Sequence, residues 1–252
     1  MYTNRAMARL NLQLWEAVVD DCQACIALNP DNMKAFYYLS QAQLALHQMD
    51  DALANALKAH DICAQTNDKS LSAVTNQVLK CKQERWDAME RRRIREAQQL
   101  ENELLALMGK ERDETLSGAT DEGIRKDIAL EWEKKMAVVR ATFEKARSAD
   151  QKKREVPEWI IDDISFQVMV DPVVVSLNPH NPRNLEPLSL TEPPQTKTGK
   201  SYERASILEH LRRHPSDPLT REPLIPQELR PNLALKQACE EFLRDNGWAV
   251  DW

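Results

Sequence analysis

Ile164-Ser165-Phe166 with Asp171-Pro172-Val173, then Asp217-Pro218-Leu219-Thr220-Arg221-Glu222-Pro223-Leu224, then Pro231-Asn232-Leu233-Ala234-Leu235-Lys236, and last Asn246-Gly247-Trp248 decide how the C-terminal hundred residues fold. Asp217-Pro218 and Glu222-Pro223 are turn dipeptides that make a rigid loop, and a rigid loop with exposed apolar side chains loses little entropy when it docks on a partner. Structural zinc needs four Cys or His ligands in paired short spacings. From Val156 onward there is one cysteine, Cys239, and His180, His210 and His214 stand unpaired, so no zinc cage can be built. The loops must be held by packing and hydrogen bonds. Between them Tyr202 to His214 reads as an amphipathic helix burying Ile207, Leu208 and Leu211. The segment Leu233 to Asp245 reads as a second helix that packs through Leu235, Cys239, Phe242 and Leu243, with Asn232 as its cap.

This set resembles a U-box, the zinc-free relative of the RING domain. The resemblance implies a domain that docks a ubiquitin-conjugating enzyme and promotes transfer of ubiquitin to a substrate lysine. It places Ile164 and Phe166 in the first loop of the docking groove, and Pro218, Arg221 and Pro223 in the second. It also gives Arg221 a catalytic role without a nucleophile: bridging the conjugating enzyme and ubiquitin in the closed arrangement, for which a planar guanidinium fork is suited. The bland alternatives are core packing for Ile164 and Phe166 and a loop ion pair for Arg221. The thioester and its cysteine belong to the conjugating enzyme, and this chain would supply proximity and orientation. No Ser/His/Asp set, phosphate-binding glycine loop or paired catalytic carboxylates stand out. Neither a cofactor nor a metal is expected. In a departure from the family, about 177–196 carries Pro179, Pro182, Pro187, Pro193 and Pro194 and reads as a solvated Pro-rich insertion in the first hairpin.

The rest of the chain is built for helices. It has 252 residues, 42% hydrophobic and 29% charged, with only 5 glycines and 6% aromatics. A net charge of -6 offers no general reason to expect nucleic acid. The apolar runs fall far short of a bilayer span and the N-terminus lacks the features of a secretory signal, which predicts a soluble, intracellular protein with no membrane partner. Five cysteines without a signal argue for reduced thiols.

The first sixty-odd residues repeat. A shift of 34 superposes Ala8 on Ala42, Leu10 on Leu44, Leu12 on Leu46, Val18 on Ala52, Val19 on Leu53, Cys22 on Ala56 and Cys25 on Ala59, the period and small/large alternation of a tetratricopeptide (TPR) unit. Each unit is a helical hairpin that completes its core only by stacking on a neighbour. Asn29-Pro30-Asp31 breaks the chain between units, and a third unit runs through Leu71, Val74, Val78 and Leu79 in weaker register. Cys22 and Cys25 fall where the next repeat has alanine, so this Cys-x-x-Cys reads as small core residues rather than a metal or redox pair.

TPR domains that grip the acidic C-terminal tails of heat-shock chaperones form a carboxylate clamp from Asn and Lys side chains on successive first helices. Asn4 and Lys34, with Gln41 one face further on, match that family pattern. A lysine supplies charge and an asparagine a neutral donor for a free carboxylate. The resemblance also implies a helix ahead of Asn4 with a lysine and an asparagine of its own. The chain begins at Met1 without it, so the expectation is a repeat domain lacking its first helix and a clamp in need of a binding test.

From Lys82 to Glu155 long charged side chains carry a sparse apolar stripe. Trp86, Met89, Ala97, Leu100, Leu104 and Leu107 form one helical face; Ile124, Ile128, Trp132, Met136, Val139, Phe143 and Ala146 form another. Gly109 to Gly123 between them reads as a turn or flexible loop. The stripes predict an antiparallel hairpin with a coiled-coil-like seam, narrow enough to predict homodimerisation. Arg91-Arg92-Arg93 and Arg95 alternate with Glu84, Asp87, Glu90 and Glu96 and read as a solvated helix face rather than a nucleic-acid patch.

The expected fold is therefore mainly α. It consists of TPR repeats over 1–81, an antiparallel helical hairpin over 82–155, and a small α+β U-box over 156–252. That order, together with Lys82-Gln83-Glu84-Arg85-Trp86, Glu90-Arg91-Arg92-Arg93-Ile94 and the tail Asn246 to Trp252, resembles the CHIP family (C-terminus of Hsc70-interacting protein) of co-chaperone ubiquitin ligases. The resemblance implies a cytoplasmic RING-type ubiquitin-protein transferase, with the nucleus as a further compartment, that marks chaperone-bound misfolded clients for degradation. The alternative is a non-catalytic chaperone-binding scaffold whose U-box only dimerises.

Overall fold

The computed structural model describes residues 2–118, 120–150, 155–176 and 196–251. Most of the Pro-rich insertion therefore lies outside the described residues. Eight α-helices and a three-stranded sheet are present among them, so the chain is mainly α with a small α+β part. Two compact units divide it, residues 2–87 with 156–251 and residues 88–155.

In the first unit α1 (Tyr2–Asn11), α2 (Trp15–Leu28), α3 (Met33–Ala45) and α4 (Met49–Thr66) form two successive hairpins. Their turns are copies of one another at the predicted spacing. The amides of Leu12, Gln13 and Leu14 donate to the carbonyls of Ala8, Leu10 and Arg9, while those of Leu46, His47 and Gln48 donate to Ala42, Leu44 and Gln43. Gln13 and His47, both at φ 59°, turn the chain in the left-handed region. Asn32 caps α3 by accepting from the Ala35 amide at 3.1 Å. The buried face of α4 is Ala52, Ala56, Ala59, His60 and Cys63, and its alanines and cysteine are small enough for close helix approach. Asp21 is 2% exposed and binds Arg5 (2.5 Å) and Arg9 (2.8 Å), tying α1 to α2. All five cysteines are free and buried. Burial pushes the Cys22 thiol up to about 12, which suits a small apolar residue and not a nucleophile.

Helix α5 (Leu71–Gly118) starts as the next repeat helix, burying Leu71, Val74, Val78 and Leu79, and continues without a break through residue 82. The loop expected over Gly109 to Gly123 is corrected here: α5 runs to Gly118 and α6 (Glu122–Asp150) follows almost at once. A mid-helix glycine costs only about 1 kcal/mol, and the run Lys110 to Glu114 favours helix. The Thr115 and Ser117 hydroxyls donate back to the carbonyls of Glu111 (3.0 Å) and Glu114 (2.7 Å) instead of breaking it.

In the second unit, Trp132 Nε1 donates to Thr115 Oγ1 at 3.1 Å and Arg147 pairs with the buried Glu101 at 2.6 Å, the order of an antiparallel hairpin. On α6 the inward face is the expected one, with Ile128, Trp132, Met136, Val139 and Phe143 shielded, although Ile124 is 53% exposed. On α5 it is not. Leu105, Met108 and Leu116 turn inward beside Glu101, whereas Leu100 and Leu107 are 58% and 61% exposed. Apolar residues at 104–105 and 107–108 offer two overlapping stripes, and packing chose the other one.

The C-terminal sheet is antiparallel, in the order β2 (Thr196–Glu203), β1 (Pro172–Ser176), β3 (Leu229–Pro231). Val173 pairs with Tyr202 on one side and Pro231 on the other. The helix expected from Tyr202 starts later, as α7 (Arg204–Arg213); Tyr202 is instead a strand residue, 1% exposed. Its alternation with Val173 across the sheet wins over helical period. Ile207, Leu208 and Leu211 are buried as anticipated. Helix α8 (Leu233–Asp245) is capped by Asn232, whose side chain accepts from the Leu235 amide at 3.1 Å.

The repeats and the C-terminal domain share their cores. Ala59, Cys63, Leu71 and Val74 join Val173, Tyr202, Ile207 and Leu211 in one cluster. Ala52, Ala56, Val78 and Cys81 join Ile160, Val168, Met169, Cys239 and Leu243 in another. Trp86 Nε1 donates to the Asp245 carbonyl at 3.1 Å, and Gly247 lies so close to the Trp86 side chain that a Cβ there would overlap it.

Candidate functional site

Two loops of the C-terminal domain have the same construction. In the first, the Asp162 amide donates to the Gln167 carbonyl and the Phe166 amide to the Asp162 carbonyl; in the second, Asp217 donates to Glu222 and Arg221 to Asp217. Asp162 Oδ2 accepts from the Ser165 amide at 2.8 Å, and Asp217 Oδ1 from the equivalent Thr220 amide at 3.0 Å. Both carboxylates are buried, at 0% and 3% exposure. Each organises its loop as a metal would, by gathering donors from several directions. Adjacent residues of β2 fix the pair side by side: the Glu203 amide donates to Asp162 Oδ1 at 2.9 Å, and the Tyr202 hydroxyl donates to Asp217 Oδ1 at 3.3 Å. Burial chiefly, and then the Asp217 charge, raises the Tyr202 phenol, so it stays a donor.

The same register gives the loops equivalent tips. Ile164 corresponds to Leu219, and Phe166 to Arg221. Phe166 (φ 57°) and Arg221 (φ 60°) both occupy the left-handed region, which a bulky side chain enters only at a cost. Phe166 is nonetheless 73% exposed, so core packing is not its role. Arg221 is exposed and makes no side-chain ion pair among the described residues. Pro218 is half-buried and Pro223 exposed, while Ile164 is half-buried against the core under α7. Reading the sequence missed Leu219, 59% exposed beside them. The internal echo of Asp162-x-Ile164-Ser165-Phe166 in Asp217-x-Leu219-Thr220-Arg221 was the available signal.

Behind the loops sits a buried polar cluster. Glu203 Oε2 accepts from the amides of Val170 (2.7 Å) and Asp171 (2.9 Å). Burial pushes this carboxyl up to about 7, against those two bonds, which favour the ionised form. Arg204 pairs with Asp171 at 2.5 Å and Lys236 reaches the same carboxylate at 3.6 Å. Among the described residues no cluster of His, Cys, Asp and Glu is placed to hold a metal.

The three residues of the expected clamp, Asn4, Lys34 and Gln41, fall on α1 and α3. Asn4 on α1 and Lys34 on α3 are exposed. Gln41 lines a groove with Leu10, Trp15, Leu44, Gln77 and Lys80. Lys34 has a competitor. Asp68 is held below the usual carboxylate range first by the Ser70 amide (2.7 Å), then in part by the Lys34 charge.

Comparison with known proteins bears on both halves. Residues 188–248 match the U-box domain, a span that includes the second loop, α7 and α8 but not the first loop. Over 251 residues the chain is 28% identical to the E3 ubiquitin-protein ligase CHIP of Arabidopsis thaliana, covering 98% of this chain and 82% of that one. The chain thus carries a U-box match at its C-terminal end and is similar along nearly its whole length to a CHIP ligase. That alignment, unlike the domain match, reaches Ile164 and Phe166. Over 107 residues the chain is also 30% identical to the Hsp70/Hsp90 co-chaperone CNS1 of Saccharomyces cerevisiae, covering 42% of this chain and 27% of that one. A shorter match of 68 residues, 34% identical, is to serine/threonine-protein phosphatase T of Trypanosoma brucei brucei, 14% of that protein's length.

Proposed function

We propose that this protein is an E3 ubiquitin-protein ligase whose U-box docks a ubiquitin-conjugating enzyme on Ile164, Phe166, Pro218, Leu219 and Pro223, with Arg221 bridging to ubiquitin. The observation that carries the reading is Phe166: an aromatic side chain held in left-handed backbone and 73% exposed serves a partner, not the fold. Arg221 occupies the equivalent point of the second loop with its guanidinium uncommitted. The chain contributes no nucleophile; it positions a charged conjugating enzyme and selects its reactive conformer. The likeness to the Arabidopsis ligase supports this reading over that of a scaffold whose U-box only dimerises. Purified chain, activating enzyme, a panel of conjugating enzymes, ubiquitin and ATP should yield ubiquitin chains that Ile164→Ala and Arg221→Ala abolish. No chains with any conjugating enzyme would leave the scaffold reading standing.

The repeats recruit chaperones by their acidic tails through Asn4, Lys34 and Gln41, and the ligase thereby marks chaperone-bound misfolded clients in the cytoplasm. The match to a yeast Hsp70/Hsp90 co-chaperone supports that half. A tail peptide ending in a free carboxylate should bind the parent and bind Lys34→Ala at least several-fold more weakly; equal affinity removes the clamp.

A further inference from the structure

Ile164, among the proposed docking residues, packs against a core cluster that belongs partly to the repeat domain. A cleft of roughly 370 Å3 is lined by Ile164 and Ser165 of the first loop, by Ser206, Glu209, His210, Arg213 and His214 of α7 and its end, and by Ser72 of α5. Ser206, Glu209, His210 and Arg213 fall on one helical face. Arg212 donates to the Asn67 carbonyl at 3.0 Å, which fixes the end of α7 on the turn ahead of α5 and so holds Ser72 in place as the far wall. The docking tips Phe166 and Leu219 remain open to solvent beside it.

We infer that the conjugating-enzyme surface is composite, with the first turn of α5 completing it, so that the repeat domain takes part in choosing which conjugating enzyme binds. The inference rests on the docking role proposed for Ile164 and Phe166. A partner that covers Ile164 must place its own rim at the mouth of this cleft. The cleft is rich in donors: the Arg213 guanidinium, the imidazoles of His210 and His214 and the hydroxyls of Ser72, Ser165 and Ser206 line it. Among the described residues Arg213 is engaged only by Glu209 of its own helix, at 2.7 Å, both ends of the pair being half or more exposed. A pair of that kind is weak and yields readily to a better partner. The His210 Nε2 contact to the Ser216 carbonyl at 3.0 Å makes that nitrogen a donor, and Ser72 and Ser206 add hydroxyls. Glu209 is the sole carboxylate of the lining and is opposed by Arg213. The occupant that fits is a conjugating enzyme presenting a carboxylate side chain at the edge of its docking face.

Full-length parent, Ser72→Lys, Ser72→Glu, Arg213→Ala and Ile164→Ala are titrated against a panel of conjugating enzymes by calorimetry at low and high salt. Melting curves verify that each variant folds. For conjugating enzymes with an acidic edge, Ser72→Lys should tighten binding and Ser72→Glu and Arg213→Ala weaken it, each by about threefold to tenfold, with the differences fading in high salt. Conjugating enzymes with a neutral edge should be indifferent, which changes the rank order of the panel. Binding lost in Ile164→Ala but unmoved by any Ser72 or Arg213 variant overturns the composite surface and leaves the docking role intact. A uniform shift of the whole panel, irrespective of the charge introduced, also overturns it, because Ser72 would then be only an obstacle. No binding by any chain, the parent included, defeats the docking role and this inference with it.

Discussion

Phe166 and Arg221 are exposed L side chains held in left-handed backbone, and the docking role we propose for them is what that strain would serve. An L side chain in left-handed backbone costs roughly 1–2 kcal/mol, so Phe166→Gly should leave the melting temperature unchanged or higher while weakening conjugating-enzyme binding at least about tenfold, as expected for loss of an aromatic anchor. Calorimetry that finds the affinity retained would remove Phe166 from the docking surface. Glu203 acts in the opposite compartment, the interior. Its carboxyl is raised from the ordinary 4.5 to about 7 by burial. Its contribution to stability is fully present below pH 4.5, where folded and unfolded chains both hold the proton, and is lost as pH rises through about 7. The loss is on the order of 3 kcal/mol. Glu203→Gln should therefore flatten the fall in unfolding free energy between pH 5 and pH 8, measured by urea titration, by roughly that amount; an unchanged slope would show that another group sets it. His60, 2% exposed and lowered by burial, tilts stability the other way, losing it as pH falls below the ordinary 6.5.

At the scale of elements, buried carboxylates organise the two loops on which we propose docking. Asp162 gathers the Ser165 amide and hydroxyl and the Glu203 amide. Removing it leaves donors without partners, at about 1–3 kcal/mol for each buried one, so Asp162→Ala should cost about 3 kcal/mol in urea unfolding. A loss below about 1 kcal/mol would mean that packing alone holds the loop. Loop identity was legible in the sequence, because Asp-Pro and Glu-Pro are local turn chemistry. The equivalence of the two loops is only faint in the sequence, an echo of short motifs 55 residues apart, and their matching hydrogen bonds make it explicit. The long hairpin failed in a different way. Helix α5 offers two overlapping apolar stripes, and which one turns inward is a property of α6, not of α5. The stripe left outside, Leu100, Leu104 and Leu107, is the face we expect a second copy to cover; a strict monomer in sedimentation at micromolar concentration would contradict that.

For the molecule as a whole, the shared cores make the repeats and the U-box one compact unit. Trp86 and Gly247 mark the contact: the indole lies against the glycine and donates to Asp245. Gly247→Ala should overpack it and cost about 1–3 kcal/mol, with a red shift of tryptophan emission as Trp86 gains water. A full-length chain that melts and emits like the parent would show that the contact yields without strain. Lys82-Gln83-Glu84-Arg85-Trp86 and Asn246-Gly247-Trp248 were each conspicuous in the sequence. That Trp86 and Gly247 touch was not readable, because nothing local couples residues so distant.

By itself the sequence determined what local chemistry and period determine: two helical hairpins in 34-residue register, the break at Asn29-Pro30-Asp31, the Asn232 cap of α8, and the turn dipeptides of the second loop. Tertiary structure alone decided which stripe of α5 is buried, that Tyr202 is strand rather than helix, and that Ser72 of the repeats shares a cleft with Ile164 of the U-box. Each of those choices depends on which surfaces meet, and burial against a particular partner outweighs the weak and degenerate preferences of any single segment.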